Sequence, residues 1–533
     1  MNRLPTLTLI ALLAAVNALK VSSAQDTFDV VIRDGHVVDG TGNPWYSADV
    51  GIRGDRIVVI GDLSDVEGER VIDATGLIVA PGFIDPHTHA VRGIFDVPGA
   101  DSSLLQGVTT LLEGNDGTSP LPIDEHLADI RELGISPNWG LFVGQGSVRE
   151  SVIGSEDRDA TAAEIEQMKA IVAAAMEQGA MGISTGLFYV PGSFTPTQEI
   201  IELSRVVADY GGIYITHMRD EVAGLLDSVN ETIRIGEQAG LPVQITHHKA
   251  MGRINWGASV ETLGLIDAAR ARGVDLTMDQ YPYTASQTGI VALVPQWAQA
   301  GGTAALLERW DDPAMQSEIK ADIVDRILYD RGGGDPANVV ISLCEWDPSI
   351  DGKSLADIAT ERGISPTPDN VAELVIDIVR GGGAQAVYHA MSEEDVERIM
   401  RHPATAIGSD GPLSVFGAGT PHPRQYGTFA RVLGRYVRER GILSLEDAVR
   451  KMSSATAQRL GIRDRGLLRE NYYADIAVFD AAAIRDVATF EDPHQYAEGV
   501  EYVLVNGVVV VNEGQHSGAR PGRVLHGPGY TQR

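Results

Sequence analysis

The 533-residue chain contains a single cysteine, Cys344. No intrachain disulfide can form, so stability has to come from a packed core. Beyond the first two dozen residues there is no apolar run long enough to cross a bilayer as a helix. No Gly-rich phosphate loop follows a strand, which argues against the doubly wound nucleotide-binding sheet that alternating strands and helices would otherwise allow. Positive charge is also scarce: 42 Lys and Arg stand against 73 Asp and Glu, a formal charge of −31. Such a polyanion repels nucleic acid and anionic membranes, so neither is an expected partner, and the surplus charge serves solubility.

What is present begins with a leader. Arg3, a mostly apolar run over 7–19 and the small residues Ser22-Ser23-Ala24 have the order of a secretory signal peptide over 1–24. This predicts a mature chain starting near Gln25, in the periplasm or outside the cell. Short β-rich segments with Asp-Gly and Gly-Asp turns follow in 25–80, and the same pattern returns in 465–533. There Asn506-Gly507 marks a two-residue hairpin. Neither end has enough strands for a core, so the two ends are expected to build one β-sandwich domain together.

Between them, over 81–464, strand, loop and helix alternate. Thr161-Ala162-Ala163-Glu164 reads as a capping box, Ile165, Met168, Val172 and Met176 keep helical spacing, and Gly179 stops the helix. Repeated βα units over this length predict an α/β fold, a (β/α)₈ barrel, with a helical insertion at about 291–339.

Chemistry-bearing residues sit where strands end. Asp85-Pro86-His87-Thr88-His89 places two imidazoles two residues apart after an apolar strand, on one side of an extended chain. His217, His247 and Asp410 close three further strand motifs, Ile215-Thr216-His217, Ile245-Thr246-His247 and Gly408-Ser409-Asp410-Gly411. One such histidine would be a core or surface residue; four with an aspartate, all at strand ends, point to Zn²⁺ or a similar divalent ion. An ion of this kind makes water a nucleophile near neutral pH, and Asp410 is placed to move its proton. His248 is expected to face the opposite side of its strand.

These motifs, with Ala80-Pro81-Gly82-Phe83-Ile84, Gln106-Gly107-Val108-Thr109-Thr110, Ser184-Thr185-Gly186-Leu187, Thr246-His247-His248-Lys249, His422-Pro423-Arg424 and Tyr426-Gly427-Thr428-Phe429, resemble the amidohydrolase superfamily. Within it they resemble the N-acyl-D-amino-acid deacylase family, over about 28–523. The resemblance implies a metal-dependent hydrolase that cleaves the amide of N-acyl amino acids of D configuration. It implies a centre of one or two ions on His87, His89, His217 and His247, with Asp410 as acid/base. It also implies substrate contacts from Lys249 and Arg424, as partners of the substrate carboxylate, and from Tyr189 and Tyr283.

One position departs from the pattern. The family commonly has Gly-Asn-Cys-Gly, its cysteine ligating metal, where this chain has Gly114-Asn115-Asp116-Gly117. Asp116 is a competent ligand, able to bridge two ions and to admit harder ones, although Asp-Gly also caps turns and Glu113 is a rival for the role. Other amidohydrolase activities on carboxylate-bearing substrates, namely cyclic-amide, dipeptide or ester hydrolysis, share the metal chemistry. A binding protein with a decayed site is the alternative from another class.

Overall fold

The computed structural model describes residues 27–531; the expected signal peptide and its cleavage point lie outside them. Short apolar segments between amphipathic helices form eight parallel strands: Phe83–Asp85, Val108–Glu113, Asn138–Leu141, Gly182–Gly186, Ile213–His217, Val243–Ile245, Leu276–Gln280 and Thr405–Ile407. They pair in chain order, the third and fourth being joined through Val143–Gly144 beside Ile183 and Ser184. The ring closes just past the strands, where Gly411 and Pro412 pair with Thr88 and His89. This is the (β/α)₈ barrel. Its strands are buried almost residue for residue because helices cover the outside and side chains fill the inside.

The covering helices follow their local signals. Thr161 and Glu164 form the reciprocal cap of the helix Ala162–Gln178, which stops at Gly179, in the left-handed region at φ 114°. Met168, Val172, Ala175 and Met176 are its buried face.

Both chain ends contribute to one nine-stranded sheet. The seam is the antiparallel pair Ile78–Pro81 and Ile476–Phe479. Val30, Ile32, Val50, Ile52 and Ile72 from one end share a core with Ile476, Val478 and Leu504 from the other. At the predicted hairpin, Val505 pairs with Val508 around Asn506 and Gly507, both at positive φ. The last residues then leave this sheet and return to the barrel: Leu525 N–H donates to Trp139 O (2.7 Å) and Gly527 N–H to Gly179 O (2.9 Å).

The segment between the seventh and eighth barrel strands is more than the helical insertion expected at about 291–339. It spans 286–388 and carries its own antiparallel sheet of Ser286–Gly289, Gln385–Tyr388 and Val339–Leu343. A separate hydrophobic cluster joins these strands to the helices Pro313–Tyr329 and Pro368–Gly381. Strands of four or five residues carry too little periodicity to stand out from buried helix in the sequence.

Sheet and barrel meet at a buried polar knot. Arg465 is paired with Asp475, each almost inaccessible. Asn138 of the third barrel strand donates to Asp475 Oδ2 (3.1 Å), and Asn506 donates to Asn138 Oδ1 (2.8 Å). Removing one partner of a buried ion pair strands the other charge. Asp475→Ala should therefore lower unfolding free energy by about 3–5 kcal/mol in urea titrations while metal content per folded molecule stays unchanged. A loss below about 1 kcal/mol would show that the knot is not a structural tie.

Candidate metal centre and active site

Barrel geometry delivers the predicted residues to one place. His87 and His89 follow the first strand, Asp116 the second, His217 ends the fifth, His247 lies two residues past the sixth, and Asp410 three past the eighth. His89, Asp116, His217, His247 and Asp410 line one cavity of about 590 Å³ at the C-terminal end of the barrel, with His87 buried in its floor. A larger hollow, about 1080 Å³, holds none of them.

Two ligand sets overlap at Asp116. His87, His89, Asp116 and Asp410 form one, and Asp116, His217 and His247 the other, with the donor atoms of each set within 4.8 Å of one another. Asp116 Oδ1 is 3.5 Å from His87 Nε2 and 3.6 Å from His247 Nε2. Its Oδ2 is 3.4 Å from His89 Nε2 and 3.5 Å from His217 Nδ1. Each carboxylate oxygen thus faces one histidine of each pair. Asp410 Oδ1 lies 3.0 Å from His89 Nε2 and 3.5 Å from His87 Nε2.

The donor set fits divalent ions. His87 Nε2 and Asp116 Oδ1 are buried and have no hydrogen-bond partner. His217 Nδ1 and His247 Nε2 approach to 2.8 Å, both turned to Asp116. Inward lone pairs around a buried carboxylate are what a metal centre requires. Burial alone would raise the Asp116 pKa; the surrounding imidazoles, His87 and His247 foremost, instead hold it well below the usual carboxylate range.

Outer carboxylates fix the rings, and sequence reading missed them. Asp279 Oδ1 is 3.4 Å from His87 Nδ1 and accepts the His247 backbone N–H (2.7 Å). Glu221 Oε1 stands 3.2 Å from His247 Nδ1, and Oε2 3.7 Å from His217 Nε2. Such partners set which nitrogen faces the ion. The available signal was Asp279 at the end of a barrel strand, in Met278-Asp279-Gln280. Glu221 lies in a loop with no motif of its own.

The backbone is bent to present these groups. Asp116, His247 and Asp410 all have positive φ, at 54°, 35° and 51°. Non-glycine residues there cost about 1 kcal/mol or more each and persist where packing enforces them. The Asp116 loop is clamped: a Cβ at Gly114 would stand 2.2 Å from Phe142 O, and one at Gly117 2.6 Å from Gly186 N. Among the described residues no backbone N–H bonds the Asp116 carboxylate, so it does not cap the turn. Glu113 points elsewhere, accepting from Thr88 Oγ1 and the Ala90 N–H, and burial raises its pKa to about 7. His248 does face away, 2.9 Å from Thr262 Oγ1, with its pKa lowered to about 4 by burial.

The expected substrate contacts divide. Arg424 opens a helix beside the cavity and donates to Asp410 Oδ2 (2.6 Å). Lys249 also lines it, but its ammonium is committed to Glu221 Oε1 (2.6 Å), His247 O (3.0 Å) and a contact with His247 Nδ1 (2.7 Å). Tyr189 lines it with its ring edge-to-face on His217, centroids 4.7 Å apart, and its hydroxyl accepts from Thr288 (3.1 Å). Tyr283 does not line the metal cavity. It packs edge-to-face on His422 and donates to Pro423 O (3.4 Å). Of the Tyr281-Pro282-Tyr283 pair it is Tyr281 that lines the cavity, its ring 4.8 Å from Arg424 Cζ and 5.8 Å from Lys249 Nζ and its buried hydroxyl without a partner. In an extended strand residues 281 and 283 would share one side; the strand ends at Gln280, so that rule lapses and the two rings part.

The amidohydrolase family profile matches residues 70–511. D-aminoacylase of Alcaligenes xylosoxydans xylosoxydans is 39% identical over 526 residues, covering 94% of this chain and 98% of its own. A D-aminoacylase structure that addresses its binuclear metal center, with one-metal activation and second-metal attenuation, superposes with TM-score 0.81 at 38% identity, over 94% of this chain and 100% of that one. The N-acyl-D-glutamate deacylase of Bordetella bronchiseptica, complexed with zinc and a phosphonate inhibitor, gives TM-score 0.81 at 33% identity over the same shares. The chain belongs to the amidohydrolase family.

If Asp116 serves both sets, Asp116→Ala should empty the centre while Asp116→Cys keeps metal. Elemental analysis of the purified variants reads this directly. Full metal content in Asp116→Ala would make Asp116 a turn residue and return Glu113 to consideration.

Proposed function

We propose that this amidohydrolase-family chain is a zinc-dependent N-acyl-D-amino-acid deacylase. The observation that carries the proposal is the convergence of four imidazoles, Asp116 and Asp410 on one cavity that also holds Arg424. Zinc held by His87, His89, Asp116, His217 and His247 would supply Lewis acidity toward the amide carbonyl and acidify water at the site.

The protein's own groups do the rest. Burial would push the Asp410 pKa up, but Arg424 and the nearby imidazoles of His87 and His89 hold it well below the usual range. Asp410 is therefore anionic and can accept a proton from attacking water at Oδ1 and return it to the departing amine nitrogen. Arg424 offers a planar fork for the substrate's α-carboxylate, with the unpartnered Tyr281 hydroxyl beside it and the Lys249 charge behind. Fixing the carboxylate places the scissile amide over Asp116 and Asp410. D configuration is supported by the activities of the relatives, and export by the order of residues in 1–24.

Asp410→Asn keeps the shape and removes the base, so kcat on N-acetyl-D-amino acids should fall about 100-fold or more with metal content unchanged. Near-normal turnover would exclude the role. Arg424→Ala should damage hydrolysis of free acids far more than of their methyl esters; equal losses would remove Arg424 from carboxylate binding. A parallel panel of N-acetyl-D- and N-acetyl-L-amino acids tests configuration, and faster turnover of the L series would overturn that part. N-terminal sequencing of exported protein should begin near Gln25, and an intact Met1 on it would refute cleavage.

A further inference from the structure

Each of the two cations already considered has a carboxylate in hydrogen-bond contact: Arg424 has Asp410 and Lys249 has Glu221. Arg331 does not. It follows the helix Pro313–Tyr329 of the insertion, lines the same cavity as Asp116 and His217, and has a side chain only 3% exposed. Among the described residues no acceptor takes a hydrogen bond from its guanidinium, and Nε is a buried orphan. The Asp330 carboxylate is 3.6 Å from that Nε, too long for a hydrogen bond. What holds Arg331 is aromatic: its Cζ lies 4.0 Å from the Phe188 ring centroid and 6.0 Å from that of Tyr388.

Stacking uses the face of a guanidinium and leaves its edge, where all five N–H groups lie, unspent. A buried guanidinium without acceptors is destabilising unless something supplies them. Arg331 lines the cavity, and a planar anion bound there would supply the missing acceptor. Arg424 already answers to the α-carboxylate in the deacylase reading, so Arg331 addresses a different group.

We propose that Arg331 is a specificity residue that receives a second carboxylate of the substrate, so that the preferred substrates are N-acylated amino acids carrying two negative charges. The proposal rests on the deacylase reading. The second carboxylate comes from the amino-acid side chain or from the acyl group; in both cases the recognition is a guanidinium–carboxylate fork at the wall formed by the insertion.

The test compares N-acetyl-D-glutamate with N-acetyl-D-glutamine, and N-succinyl-D-leucine with N-acetyl-D-leucine. Wild-type enzyme should favour one doubly charged member of these pairs by about 10- to 100-fold in kcat/KM, the range expected for hydrogen bonds to a charged group. The favoured pair tells which end of the substrate reaches Arg331. Arg331→Met should erase that preference, costing the doubly charged member about 10- to 100-fold more in kcat/KM than its neutral partner, while the melting temperature falls modestly because the 3.6 Å approach to Asp330 and the contact with Phe188 are lost. Arg331→Lys, which keeps charge without the fork, should fall between. Hydrolysis of the neutral substrates with no advantage for either dianion overturns the role of Arg331 and leaves the deacylase reading standing. Equal losses on all four in Arg331→Met also overturn it. Hydrolysis of none of the four by the wild type overturns both readings.

Discussion

Asp116 lies within 3.4–3.6 Å of all four imidazoles, on a loop whose flanking glycines leave no room to shift. The rest of the site is arranged around that one carboxylate. His87 and His89 reach it from the first barrel strand, and His217 and His247 from the fifth and sixth. The two pairs share no other ligand. A thiolate in this place presents one sulfur to both sides. A carboxylate presents two oxygens, and here each faces one histidine from either pair. An oxygen donor is harder than sulfur and is spared the oxidation to which a thiol is open, so with Asp116 as ligand the proposed centre would admit harder divalent ions than a thiolate site.

The barrel makes such a loop affordable. Asp116, His247 and Asp410 sit at positive φ, a conformation that local propensity opposes. Each lies just past a buried parallel strand, and Asp410 stands between its strand and the Gly411–Pro412 pairing that closes the ring. His247 is further held by Asp279 at its backbone N–H, and Asp410 by the bond from its own N–H to His87 O (2.8 Å). Strain of this kind is tolerated because the strands, not the turns, carry the stability.

The same division explains what could be read from the sequence. The histidines, Asp410 and the barrel were legible because strand-end motifs combine an apolar run with a chemically distinctive residue. The shared β domain was legible because turn dipeptides such as Asn506-Gly507 are local. Groups brought in by tertiary approach were not: Glu221 lies in an unmarked loop, and Arg331 comes from an insertion whose short strands resemble buried helix. Lys249 and Tyr283 show the converse. Their motifs are recognisable, but Lys249 is spent on Glu221 and His247, and Tyr283 turns to His422, since a motif fixes neighbours in the chain and not the partners a side chain finds in space.

Charge accounting shows why an ion belongs to the structure as well as to the chemistry. Asp279, Glu221 and Asp410 are buried around the histidines, and Asp116 among them has a side chain 10% exposed. Lys249 and Arg424 offset two of them through direct pairs. Asp116 and Asp279 have only imidazoles and backbone or amide donors. Protonating the histidines would supply part of the missing charge: burial opposes it at every ring, yet the facing carboxylates hold His87, His89 and His247 above the ordinary imidazole pKa, and His217 alone of the four is held below it. Two imidazolium rings at 2.8 Å, as His217 and His247 would be, also repel each other. A divalent ion resolves both problems, since it neutralises the carboxylates and needs the imidazoles uncharged. Loading the centre would therefore also hold its residues in place, and with the four carboxylates balanced by Lys249, Arg424 and the ion an anionic substrate would meet no net repulsion.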